Sequence, residues 1–367
     1  MKFSIDKESL ISAISIVQKA MGTRSTMPVL EGIYIEAENG RLSLKCTDMA
    51  LLIESSVEAE VEENGVVVLP GRIFSEIIRK LPSGKVSVLS AGDMSVKIKS
   101  GMSRTTLQCM NVREFPEMPE IEKKSGLVME QKIIRDMIRQ TIFATASDET
   151  KPILTGTLIE MEGGCVNFVA LDGYRLAFRS SKADGGDVSV NCVVPAKSMG
   201  EIAKTLGEEG EAAITIGTNH ILIDAGKTKI ISRLLDGEFI KYRQIMPQDY
   251  QTRVKIARAE FAEAMDRASL MAREGKNNLV KLSIDEDKMV ITSNSEIGDA
   301  YEEVDIWIEG KPLEIAFNSK YFSDVLKALE DETVYLDFNS NVSPCVLRPV
   351  EGSAFQYLIL PVRIYAG

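Results

Sequence analysis

The chain has 367 residues, 44% hydrophobic and 26% charged. That balance is ordinary for a folded protein, but the length exceeds one comfortable core and suits three domains of about 120 residues. No apolar run reaches the roughly 18 residues of a membrane helix, and the net charge of -11 argues against nucleic acid unless positive charge is gathered in one place.

The start, Met1-Lys-Phe-Ser-Ile-Asp-Lys-Glu, alternates like a strand and lacks a secretory apolar block, so the expected compartment is the cytoplasm. A helix is expected over residues 7–20, with Leu10, Ile11, Ile14 and Val17 at helical spacing and Gly22 as its stop. Met27 to Ala37 reads as a strand. Asn39-Gly40 is a hairpin turn, with the returning strand from Leu42 to Thr47. Val66-Val-Val-Leu-Pro-Gly-Arg then runs from a strand into an amphipathic helix over 72–81, followed by two short strand patterns ending at Leu107.

That strand–breaker–helix segment recurs at Cys192-Val-Val-Pro-Ala-Lys and at Glu314-Ile-Ala-Phe-Asn-Ser-Lys. The breakers Pro70, Pro195 and Asn318 lie 125 and 123 residues apart, a period of whole domains rather than of a solenoid. Pro28 and Pro152 are 124 apart, as are Asp48 and Asp172. Further helices are expected over 131–144, 197–206, 258–273 and 319–329. Two helices beside several strands, three times over, describe an α+β protein with one sheet face covered. The domains are expected at 1–122, 127–246 and 248–367, with linkers near Glu120–Gly126 and Met246–Thr252.

Charge divides unevenly. The six expected helices sum to +7 and the remainder to -18, a pattern that suits a basic helical surface on an acidic body. Such a surface attracts phosphates without reading sequence.

Catalytic chemistry is sparse. The lone histidine, His220, lies in the strand-like Ile214–Ile223 and reads as a surface or turn residue. Most zinc sites and triads need more. Gly226-Lys227-Thr228 resembles a phosphate-loop tail, but Ile221 stands where the loop needs glycine and a strand pattern follows. Asp285-Glu-Asp287 reads as a solvated turn, not a calcium loop. Five cysteines without CxxC spacing read as free thiols. No catalytic residue, metal or cofactor is expected.

At Asp172-Gly-Tyr-Arg-Leu-Ala177 and Tyr357-Leu-Ile-Leu-Pro-Val-Arg363 the chain closely resembles the bacterial DNA polymerase III β subunit family, the replicative sliding clamps. Thr23-Arg-Ser-Thr-Met-Pro-Val-Leu30, Asp236-Gly-Glu-Phe239 and Phe317-Asn318 extend the resemblance over essentially the whole chain. It implies three clamp domains and a head-to-tail homodimer, a six-domain ring around duplex DNA. Twelve helices about 10 Å wide in a circle leave a hole of roughly 28 Å, whereas six leave only about 9 Å. Duplex DNA is about 20 Å across, so two chains fit.

By resemblance Arg24, Arg72 and Lys197 face DNA. Helix position adds Lys7, Lys80, Lys132, Arg135, Arg139, Lys204 and Lys327. Ring closure is expected where basic Lys97, Lys99 and Arg104 of the first copy meet Glu296, Asp299, Glu302 and Glu303 of the acidic third. Leu107 should meet Leu270 or Met271 at the apolar centre. The resemblance also implies a peptide pocket walled by Leu154, Gly173, Tyr174, Arg175, Leu176, Ile240, Ile245, Tyr321, Val342, Pro344, Leu358, Leu360, Pro361, Val362 and Arg363. Such a pocket suits an extended motif with Gln and Leu/Phe anchors. Tyr174 departs from the histidine frequent in the family, Leu360 and Val362 replace methionine, and Tyr365-Ala-Gly367 extends the tail. Implied partners are the α-type replicative polymerase subunit, an ATP-driven clamp loader, translesion polymerases, mismatch repair proteins and ligase. An enzyme using the groove near Asp172, Tyr174 and Arg175, or a repeat scaffold without DNA, are the competing readings. Turnover assays and retention on circular against linear DNA separate the three.

Overall fold

The computed structural model describes residues 1–23, 25–91, 94–121, 125–148, 150–183, 189–275 and 277–363. Arg24 and the Tyr365–Gly367 tail lie outside these. The first copy runs β1 (Lys2–Asp6), α1 (Lys7–Val17), β2 (Gly32–Glu38), β3 (Arg41–Thr47), β4 (Leu51–Glu58), β5 (Glu60–Glu63), β6 (Gly65–Pro70), α2 (Gly71–Lys80), β7 (Lys85–Ala91), β8 (Ser95–Ser100) and β9 (Ser103–Gln108). The second runs β10 (Ser125–Glu130), α3 (Gln131–Arg139), β11 (Gly156–Glu162), β12 (Cys165–Leu171), β13 (Arg175–Lys182), β14 (Val190–Pro195), α4 (Ala196–Thr205), β15 (Glu211–Ile216), β16 (His220–Asp224) and β17 (Thr228–Arg233). The third runs β18 (Thr252–Ala257), α5 (Arg258–Glu274), β19 (Leu279–Asp285), β20 (Lys288–Ser295), β21 (Gly298–Gly310), β22 (Leu313–Asn318), α6 (Ser319–Ala328), β23 (Thr333–Phe338), β24 (Cys345–Pro349) and β25 (Phe355–Ile359).

Each breaker ends a strand and opens a helix. Pro70 and Pro195 have no N–H to leave unpaired at that corner. Asn318 instead caps α6, its side-chain oxygen accepting the Lys320 N–H at 3.0 Å. Asp6 does the same for α1, accepting from Glu8 and Ser9. The hairpin turn at Asn39-Gly40 holds both residues at positive φ, 51° and 74°, the type I′ geometry that its residues favour. Glu286 turns the β19–β20 hairpin at φ 42°, as the acidic turn required. Strand β17 follows Gly226-Lys227 directly, so no helix N-terminus stands there to receive a phosphate.

Several boundaries differ from the sequence expectation. Pro28–Glu31 and Pro152–Thr155 are 3-10 turns before β2 and β11 rather than strand. The helix from Gln131 stops at Arg139, and the Thr141 hydroxyl donates to the Met137 carbonyl at 2.8 Å, closing the last turn. Helix α1 stops at Val17, before Gly22, whose N–H donates to the Leu30 carbonyl. Three strands, not two, follow α2, and 214–223 is a hairpin whose second strand begins at His220.

Two compact units divide the described residues, one holding 1–135 and 197–234, the other 136–183, 189–196 and 235–363. The first carries a five-stranded sheet, β5-β1-β7-β8-β9, and an eight-stranded sheet, β10-β15-β16-β17-β4-β3-β2-β6. The second carries twelve strands, β14-β11-β12-β13-β25-β24-β23-β18-β21-β20-β19-β22. Thus the long fourth strand of one copy pairs with the last strand of the next. Leu52 of β4 faces Ile231 of β17, and Leu176 of β13 faces Leu358 of β25.

The same repeat protects edges. The chain leaving each last strand donates one backbone bond to the edge strand of its own copy: Met110 to Val68, Leu235 to Val193 and Val362 to Ala316. An edge so covered no longer offers a template for another strand. Aromatic side chains close the third core, with Phe317 edge-on to Phe322 at 5.0 Å and Phe322 edge-on to Phe261 at 5.5 Å.

Cys46, Cys192 and Cys345 are buried, and burial raises all three thiols, Cys192 to about 12. Only Cys109 and Cys165, both half-buried, are expected to react with a thiol reagent near neutral pH in the native protein, all five after denaturation. Counting released chromophore checks this.

Candidate functional site

The pairing of β13 with β25 underlies the expected groove. Its floor is core: Leu154, Leu176 and Leu358 pack with Val169, Leu171 and Tyr242. Its rim is exposed at Gly173, Tyr174, Ile240, Ile245, Val342, Leu360 and Arg363, and half-buried at Tyr321, Pro344, Pro361 and Val362. All fifteen expected residues therefore fall in one unit, four of them (Leu154, Arg175, Leu176 and Leu358) buried as support rather than contact surface.

Local bonding shapes the rim. The Asp172 carboxylate accepts from the Tyr174 and Arg175 N–H groups at 2.9 and 3.0 Å, a turn completed by Gly173 at φ 92°. Asp48 forms the same turn one repeat earlier, accepting from Ala50 and Leu51. Burial and the Glu160 carboxylate raise the Tyr242 phenol, whose O–H donates to Glu160 at 2.8 Å. This anchor leaves Ile240 and Ile245 standing out on either side.

Arg175, expected in the pocket wall, lies behind its surface with its donors engaged. Only 9% exposed, its Nε donates to Asp172 Oδ2 at 3.0 Å, one Nη donates to Asp324 Oδ2 at 2.6 Å, and the other donates to the Phe143 carbonyl. The guanidinium carbon lies 4.7 Å from the Tyr321 ring centre and 5.5 Å from that of Phe143. Tyr174, 62% exposed, stacks on Tyr321 with centroids 6.3 Å apart and planes at 22°. Burial raises the Tyr321 phenol, and Asp172 adds to this. The residues missed from sequence are Asp324 and Phe143, 149 and 32 positions from Arg175 and without any local pattern to mark them.

The expected DNA-facing cations divide. Lys7 is a correction to the sequence reading: it is buried, its Nζ donating to the Leu81 carbonyl at 2.7 Å, because it opens α1 on the side packed toward the end of α2. Arg72, Lys80, Lys197, Lys204 and Lys327 are exposed, and Lys132, Arg135 and Arg139 also lie on α3. Carboxylates stand beside most of them: Glu76 by Arg72, Asp48 by Lys197, Glu201 by Lys204, Asp266 by Lys327, Glu208 by Arg135 and Glu330 by Arg139.

Lys97, Lys99 and Arg104 project to solvent from β8 and β9. In the third copy Leu270, Glu296, Asp299 and Glu303 are exposed, and Met271 and Glu302 are half-buried. Two of these carboxylates already hold cations of their own copy, Glu302 with Arg267 and Glu303 with Lys288. Among the described residues no cluster of three or more His, Cys, Asp or Glu could hold a metal, and no helix is long and apolar enough to cross a membrane.

Three domain profiles of the DNA polymerase III β subunit match in order, the N-terminal domain over residues 1–119, the central domain over 128–241 and the C-terminal domain over 243–363. The chain belongs to the DNA polymerase III β-subunit family. It is 37% identical over 378 residues to the beta sliding clamp of Bacillus subtilis, covering all of both chains. A crystal structure of the Bacillus subtilis sliding clamp matches with a TM-score of 0.96 at 36% identity over all of both chains. A sliding clamp from Pseudomonas aeruginosa bound to griselimycin matches with a TM-score of 0.94 at 29% identity, covering 99% of this chain and 100% of that one.

Proposed function

We propose that this family member is a non-catalytic processivity factor, a cytoplasmic head-to-tail homodimer of clamp domains 1–122, 127–246 and 248–367. It encircles duplex DNA without reading sequence and tethers the α-type replicative polymerase subunit through the groove. An ATP-driven loader opens the ring, and translesion polymerases, mismatch repair proteins and ligase use the same groove.

The junction rule carries the reading. Two of three possible fourth-strand-to-last-strand pairings are made within the chain. Among the described residues the last strand of the first copy, β9, and the first half of β21 in the third copy each have a partner on one side only. A second chain satisfies both, and the pairing must then occur twice to close. Matching the repeats strand by strand sets Gly298 opposite Leu107 and Tyr301 opposite Arg104. Asp299 and Glu303 then lie diagonal to Arg104 on the exposed face, within reach of its charge. On the other face, the bare Cα of Gly298 looks toward Met271, since a Cβ there would lie 3.7 Å from its sulfur. Leu107 can thus reach Met271 across the glycine.

Retention tests the whole reading: the protein should stay on circular DNA and slide off the same DNA once cut. Equal loss from both would refute it. Arg24, Arg72, Lys80, Lys132, Arg135, Arg139, Lys197, Lys204 and Lys327 are assigned to the inner surface. The carboxylates beside Arg72, Arg135, Arg139, Lys197, Lys204 and Lys327 keep phosphate contacts weak, and topology supplies retention. Arg72→Glu with Lys197→Glu should lower the loaded fraction about tenfold at moderate salt and flatten the salt dependence by about two phosphate contacts, with dimer mass unchanged. Titrating salt in the loading assay measures both.

A further inference from the structure

We propose that Asp324 is a positioning residue of the groove, holding the Arg175 guanidinium beneath Tyr321 so that the tyrosine wall is in place before a partner peptide arrives. This rests on the groove reading above. The stack is continuous: Tyr174 lies on Tyr321, Tyr321 on Arg175, and Arg175 on Phe143. A guanidinium between two rings has one orientation that satisfies both faces, and in-plane acceptors decide whether it stays there. Asp172, Asp324 and the Phe143 carbonyl supply three of them. Of these, Asp324 alone comes from α6, the helix that carries Tyr321. It therefore fixes the wall to the strand turn that carries Tyr174.

The chain contains its own control. The junction of β4 with β17 has the same strand pairing and the same aspartate turn, yet Leu51 stands where Arg175 does. Ser198 and Glu201 of α4 occupy the places of Tyr321 and Asp324, and Glu201 pairs with Lys204 of its own helix. Sheet continuity between copies consequently needs no buried cation. The lock is present at the junction that carries the Tyr174–Tyr321 stack and absent at the other, which marks it as a device of the groove rather than of the junction.

The test uses the full-length protein and a fluorescein-labelled Gln-Leu-Ser-Leu-Phe peptide read by polarisation. Asp324→Asn keeps the size and removes the charge. It should weaken the peptide about tenfold, the scale of one charge-assisted hydrogen bond, while dimer mass and retention on circular DNA stay unchanged. In a Tyr321→Leu background the same substitution should cost less than about twofold, since the ring it positions is gone. Arg175→Lys, which cannot span three acceptors in a plane, should reproduce the loss and not add to it. That variant also serves if Asp324→Asn does not fold. Equal peptide affinity in wild type and Asp324→Asn overturns the proposal and leaves the groove reading intact. So does a full tenfold loss in the Tyr321→Leu background. Wild type that binds no peptide overturns the groove reading, and this proposal with it.

Discussion

Leu107→Asp should yield a folded 40.4 kDa chain that no longer forms a particle of twice that mass and no longer stays on circular DNA. Leu107 is half-buried on the inner face of β9, and the repeated register sets it over Gly298 beside Met271. A carboxylate there loses an apolar contact and must be desolvated next to an acidic strand. Each such closure costs about 2–4 kcal/mol at an interface centre. The ring contains the junction twice, so the dimer loses about 4–8 kcal/mol, a factor of a thousand or more in dissociation. In the free chain the side chain is partly exposed, so the fold itself should melt within a few degrees of wild type. Light scattering after gel filtration reads the mass. A dimer of wild-type affinity would refute the register. Glu303→Lys, diagonal to Arg104, should give a smaller and salt-sensitive loss, because charges at a rim act mainly through screened attraction.

Val342→Asp with Leu360→Asp should abolish peptide and polymerase binding while leaving dimer and DNA retention intact. Val342 is 62% exposed and Leu360 36%, so neither supports the core, and both stand on the groove rim. An apolar anchor in such a site is worth about 2 kcal/mol when truncated, and introduced charge adds a desolvation cost. The pair should weaken a Gln- and Leu/Phe-bearing peptide by at least about a hundredfold. Removing Leu358 to Arg363 outright is a poorer test, because Leu358 and Ile359 pair with Leu176 and Arg175 on β13 and their loss would damage the sheet. Titration calorimetry with the peptide checks the point variants. Undiminished affinity would move the site elsewhere.

Much of this was legible without coordinates. The breakers Pro70, Pro195 and Asn318 mark three strand-to-helix corners because proline and a capping asparagine act locally, within a turn. Asn39-Gly40 marks a hairpin for the same reason. Lys7 shows the limit of that logic. Its position on an amphipathic helix placed it outward, but packing beside the α2 exit carried its ammonium to the Leu81 carbonyl. Arg175 shows a second limit: a motif located it at the groove, and only three-dimensional neighbours revealed that its donors are already engaged.

The sequence by itself determined the threefold repeat, the corners, the hairpins and the family. Each depends on residue type and spacing over a few positions, or on a period that is plain in one dimension. Tertiary structure alone decided that neighbouring copies share sheets, which strand edges remain open, and that Asp324 holds Arg175. Those are encounters between residues dozens to hundreds of positions apart, fixed by strand register and burial, which composition and local pattern do not encode.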